Sequence, residues 1–178
     1  MKRNVWIWPV LGALALGGCA SMSESQCRVA DWYRVGLDDG ASGVEPGRVA
    51  DYAEDCGKIG VRPDTRAYRQ GWDQGIQSFC TAANGWQQGV EGRSGKDKVC
   101  VGQNGYAAFK RNLLAGLEVY RINERIRQNN DEIRRLQKKL ETAKDDAERQ
   151  SLRRELSAID REQYRLRVQL GQQQQLAP

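Results

Sequence analysis

The sequence predicts a mainly α protein in two parts, a small disulfide-stapled, glycine-rich helical head and a C-terminal antiparallel helical hairpin of coiled-coil type. Three observations carry that prediction. Four cysteines fall between Cys27 and Cys100, an aromatic-glycine segment occurs twice among them, and the run from Tyr106 to Leu170 holds no proline and, after Gly116, no glycine. The boundaries follow: a leader over 1–18, a head over 19–105, a hairpin over 106–170 with its turn near 144–147, and a disordered Gln-rich end over 171–178.

The leader comes first. Lys2 and Arg3 precede an apolar run from Val5 to Leu16 that is too short to span a bilayer stably, and small residues lead into Cys19. Leu16-Gly17-Gly18-Cys19 reads as the end of a signal peptide followed by a lipid-attachment cysteine. Acyl chains on Cys19 would contribute about 0.8 kcal/mol per buried methylene, enough for several chains to hold the protein on a membrane. Ala20 follows the cysteine, where lipoproteins kept in the bacterial inner membrane resemble one another in having Asp. The expected place is therefore the periplasmic side of the outer membrane. No cofactor is expected beyond the covalent lipid on Cys19. The whole chain has a mean hydropathy of −0.73, and the part after the leader offers no further span.

Charge excludes one partner class. Residues 19–117 carry 12 basic and 12 acidic side chains, and residues 118–178 carry 14 and 11. So small an excess makes no nucleic-acid footprint.

The head needs covalent help. It is rich in glycine and charge and holds few Leu, Ile or Phe, so its core is thin for the entropy that it must offset. Cys27, Cys56, Cys80 and Cys100 are an even set, suited to two disulfides in an oxidising compartment. Their gaps of 29, 24 and 20 residues, in a chain with no histidine, do not suit a zinc site.

The repeat reads Y-R-x-G-x-D-x-G, as Tyr33 to Gly40 and again as Tyr68 to Gly75. On a helix the tyrosine and both glycines share one face, which favours close approach of another backbone. Asp31 and Asp64 stand where N-caps stand, with Pro63 just outside the second helix. Two short helices packed through their glycine faces are expected. Four cysteines allow three pairings, and the sequence alone does not choose among them. Antiparallel packing of the two helices would join Cys27 to Cys80 and leave Cys56 for Cys100. Asn84-Gly85 and the spaced Gly89, Gly92 and Gly95 read as turns flanking a short hairpin that ends at Cys100.

The order Cys27, Asp31-Trp32, Gly36, Asp39-Gly40, Cys56, Tyr68, Gly71, Gly75, Cys80, Asn84-Gly85, Gly89, Gly92, Cys100 resembles bacterial lipoproteins catalogued as domain of unknown function 2799. The resemblance covers about residues 19–110 and leaves the C-terminal segment outside. It implies a lipoprotein with a stapled head and brings with it no established activity, cofactor or catalytic residue.

The C-terminal part carries two apolar seams. Ile122, Ile126, Asn129, Ile133, Leu136 and Leu140 step by 4, 3, 4, 3 and 4, as do Leu152, Leu156, Ile159, Gln163, Leu166 and Leu170. They mirror each other about residue 146, so that Leu140 meets Leu152, Asn129 meets Gln163 and Ile122 meets Leu170. A single straight helix would not keep both seams on one stripe, because twelve residues turn it about 120°. Asp145 and Asp146 can cap the returning arm. Two continuous helices from different molecules, crossing antiparallel at residue 146, satisfy the same pattern and would make a homodimer.

Chemistry is sparse. The sequence has no histidine, no G-x-S-x-G and no phosphate loop. Asp38, Asp39 and Asp73 lie beside aromatics in the repeat and suggest a glycan-binding module or hydrolase as one reading. The preferred reading makes them helix-face or loop carboxylates that pair with Arg34 and Arg69. Trp32, Tyr33, Tyr68 and Trp72 form the candidate interaction face of the head, with Trp86 a further exposed-aromatic candidate. The preferred reading is a non-enzymatic envelope lipoprotein that binds another envelope protein or a cell-wall component through the hairpin or the head.

Overall fold

The computed structural model describes residues 20–178; the leader and Cys19 lie outside the described residues. The chain is helical, with α1 (Glu24–Val29), α2 (Trp32–Ala41), α3 (Val49–Gly57), α4 (Thr65–Phe79), α5 (Ala82–Val90), α6 (Tyr106–Thr142) and α7 (Asp146–Gln174). Short 3-10 turns cover Pro46–Arg48 and Lys98–Cys100. Among the described residues there is no strand, and no helix is long and apolar enough to cross a membrane.

Caps set the helix starts. Asp31 accepts from the Arg34 amide, Asp64 from the Arg66 and Ala67 amides, Thr81 from Asn84 and Asp145 from Glu148, each satisfying donors that a first turn leaves open.

The repeat helices α2 and α4 do pack through their glycines. A Cβ on Gly36 would overlap the Tyr68 carbonyl, and one on Gly71 would overlap the Tyr33 carbonyl. Farther along, Gly40 abuts Trp72 to Ile76, and Gly75 abuts Leu37 to Ala41. Contacts advance in the same direction on both helices, so the pair is parallel rather than antiparallel.

That direction corrects the disulfides. The bonds are Cys27–Cys56 and Cys80–Cys100, not Cys27–Cys80 and Cys56–Cys100. Cys27 lies ahead of α2 and Cys56 ahead of α4, so parallel packing brings these two together; Cys80 closes the far end of α4.

The same device occurs a second time. Gly85 and Gly89 of α5 abut the Phe109 and Leu113 carbonyls of α6, and Gly116 abuts Trp86 and Val90, again in parallel. Cys80 precedes α5 and Cys100 precedes α6, and they are bonded. The expected short hairpin over Asn84 to Cys100 is therefore replaced by a helix and a loop. Thr81 caps α5, and Gly85 and Gly89 serve contact rather than turning; of that glycine set, Gly92 has the positive φ, +76°.

The head's core joins Tyr68, Trp72, Ile76 and Phe79 of α4 to Phe109, Leu113 and Leu117 of α6, with both members of Cys80–Cys100. It thus reaches beyond residue 105 into the first turns of α6. From there α6 continues unbroken into the hairpin, where Leu136, Ala143 and Leu152 form a second cluster with Leu140, Leu156 and Ile159. The turn occupies 143–145, just ahead of residue 146, about which the two seams mirror each other. The Gln-rich end departs from expectation, because α7 runs on to Gln174. Glutamine is a good helix former and Gly171 meets no neighbour, so nothing stops the helix at Leu170.

Candidate interaction surface

In the head, the four aromatic residues of the candidate face separate. Tyr68 and Trp72 are fully buried, and the Trp72 indole N–H donates to the Val44 carbonyl at 2.8 Å. They are core residues and cannot form a docking face, since the parallel packing of α2 on α4 encloses them. Trp32 is half-buried with its ring 6.3 Å from that of Tyr52. Tyr33 is exposed, and its hydroxyl meets Gln74. Trp86 is half-buried.

The repeat carboxylates also divide. Asp38 and Asp73 are exposed and paired one helical turn away, Asp38 with Arg34 at 3.4 Å and Asp73 with Arg69 at 2.9 Å. Asp39 points inward and accepts from the Tyr52 hydroxyl at 3.0 Å and the Tyr68 hydroxyl at 2.8 Å. Burial first, and Asp39 after it, raise the Tyr68 phenol above its usual range. Burial raises Tyr52 too. Both phenols therefore stay protonated and act as donors that tie α2 to α3 and α4. Among the described residues no group of three or more Asp, Glu or Cys is placed to hold a metal ion. A cleft of about 500 Å³ opens between the Gly43–Glu45 loop and the Arg93–Lys96 loop, over Val99.

Arginine pairing differs between the two arms of the hairpin, although Lys138 and Lys139 of α6 are also exposed with no carboxylate within 4.0 Å. On α6, Arg121 pairs with Glu118, Arg127 with Glu124, Arg134 with Asp131 and Arg135 with Glu132, while Arg125 crosses to Glu162 on α7 at 2.8 Å. Hydrogen bonding to Arg125 holds the Glu162 carboxyl below its ordinary value. On α7, Arg149 reaches Asp146 at 4.0 Å, but among the described residues Arg153, Arg154, Arg161, Arg165 and Arg167 have no carboxylate within 4.0 Å.

Heptad register explains the difference. With the α7 seam at alternate a and d positions, the acids Glu148, Glu155, Asp160 and Glu162 all fall at e or g beside α6. The outward b, c and f positions carry Arg154, Arg161 and Arg165 and no acid. Tyr164 and Val168 share that face, 71% and 46% exposed. Asp160, Arg161, Tyr164 and Arg165 line a shallow groove. An unneutralised arginine face with an aromatic at its centre can take up a negatively charged surface, arginine supplying forked donors and tyrosine apolar area.

These α7 residues were not among the sequence candidates. Their signal lay in the seam itself: once a and d are fixed, reading off the outward positions exposes the missing acids.

The family model described as Protein of unknown function (DUF2799) matches residues 31–118. That span runs from the cap of α2 to the turn of α6 where the head's core ends. No curated protein and no solved structure matches the chain.

Proposed function

Starting from a chain whose residues 31–118 belong to the DUF2799 family, we propose that the protein is a non-enzymatic lipoprotein of the bacterial cell envelope that binds a negatively charged envelope component through the outward face of α7. The outward face of α7, where Arg154, Arg161 and Arg165 stand with no acid at the b, c and f positions, is the observation that carries this reading.

Location rests on the leader, on Cys19 as the acylation site and on Ala20 after it, which favour the periplasmic side of the outer membrane. Two disulfides in one head suit that oxidising compartment. The alternative of a glycan-binding module or hydrolase working through Asp38 and Asp73 draws no support from carboxylates that are exposed and already paired with arginine.

Photo-crosslinking in intact cells tests the proposal, with one probe replacing Tyr164 on α7 and another replacing Asp131 on the outer face of α6. A discrete adduct from position 164 that disappears in the Arg161→Glu, Arg165→Glu variant is expected. Adducts only from position 131, or none from either, would overturn it.

A further inference from the structure

The chain is fastened to the head almost from its first described residue. Ser21 donates its backbone N–H to Asp55 at 2.6 Å and its hydroxyl to the same oxygen at 2.7 Å, while the Lys58 ammonium closes on the other oxygen at 2.7 Å. Met22 packs against the core, its sulfur 3.9 Å from Cys56 Sγ. Ser23 then opens α1 with a capping box, and Cys27 bonds Cys56. From Ser21 onward there is no slack. Cys19 stands two residues before Ser21, a reach of at most about 7 Å along the chain.

Resting on the lipoprotein reading above, we infer that the α3 side of the head is a membrane-seating surface, held against the phospholipid headgroups by a tether too short to let it lift away. Arg48, Asp51, Glu54 and Lys58 surround Ala20 in a shallow cleft of about 370 Å³. Both signs of charge, and no apolar side chain larger than alanine among the lining residues, make this a match for zwitterionic headgroups, with ammonium facing carboxylate and phosphate facing arginine or lysine, rather than for acyl chains or a purely anionic surface.

The test uses the full-length protein purified from membranes. Mass analysis of its N-terminus comes first, because an unacylated chain overturns the lipoprotein reading and the seat with it. The acylated protein is then placed in vesicles of zwitterionic lipid carrying a headgroup quencher. A genetically encoded fluorescent residue replaces Glu54 in one sample and Asp131 in the other. Strong quenching at position 54 over position 131 is expected. Inserting about ten Gly and Ser residues between Ala20 and Ser21, which allows a reach of roughly 17 Å, should abolish that difference. An acylated protein quenched no more at 54 than at 131, or a difference that survives the insertion, overturns the seat while leaving lipidation intact.

Discussion

At the scale of single residues, the molecule depends on glycines that are contacts rather than hinges. Gly71 meets the backbone of Tyr33 and Leu37, which cannot move aside as a side chain could. Gly71→Ala should therefore destabilise the head by roughly 3 kcal/mol in urea unfolding, near the upper end of ordinary overpacking. Gly171→Ala is its control. Nothing lies near that position, and the α7 segment should gain about 0.5–1 kcal/mol from the better helix former. The face shared by Tyr33, Gly36 and Gly40 was legible because a helix repeats every 3.6 residues. Its direction was not, because a smooth face looks alike whichever way its partner runs.

Asp55 gives a pH test at the same scale. Lys58 first, and then Ser21, hold its carboxyl below the ordinary range, so the folded form has the lower pKa. The clamp's contribution is thus complete above the unfolded value of about 4, begins to decline as pH falls below it, and is gone only when pH has dropped through the lower folded value. Hydrogen exchange at the Ser21 amide should accelerate between pH 5 and 3, relative to amides of α4, beyond the intrinsic pH dependence of exchange. In Asp55→Asn that extra acid-dependent step should be missing.

At the scale of elements, each disulfide joins the leading ends of a parallel helix pair. Both bonds close loops of moderate length, 29 and 20 residues apart, and each should contribute about 3–4 kcal/mol. Reduction should speed hydrogen exchange throughout α2 to α5 while α7 keeps its protection; equal loss in α7 would show that the rod depends on the staples. The second parallel pair escaped sequence reading for a physical reason. Asn84-Gly85 has the composition of a tight turn, and only the neighbouring α6 backbone reveals that Gly85 is needed for proximity.

The hairpin was readable in detail because a chain that folds on itself must write its core twice, in reverse order. Its polar layer differs from the simple pairing of Asn129 with Gln163. The Gln163 amide donates to the Asn130 side chain at 2.6 Å and faces the Ile126 carbonyl at 3.4 Å. Asn129 Nδ2 and Gln163 Oε1 are buried without partners. Replacing both Asn129 and Gln163 by Leu should raise the melting stability by on the order of 2 kcal/mol, since two orphaned polar atoms vanish.

At the scale of the whole molecule, the family boundary and the physical boundary coincide. The match ends at residue 118, one residue after Leu117 completes the head's core and just before the seam begins at Ile122. The rod lies outside the family match, and the arginine face of α7 lies outside it too. Reversing Arg161 and Arg165 should leave the helical circular dichroism and melting temperature close to those of the parent, because neither arginine holds a carboxylate in the fold. A large drop in melting temperature would mean that the two arginines support the hairpin itself rather than a partner.

One helix, α6, serves both as a wall of the head's core and as the outgoing arm of the rod, for 37 residues and about 55 Å. Head and rod therefore share a single stiff beam with no joint between them. A sideways load at the far turn becomes torque on the glycine contacts around Gly116, where α6 lies backbone to backbone against α5. The molecule is built as a cantilever, and whatever engages its tip also pulls on its foundation.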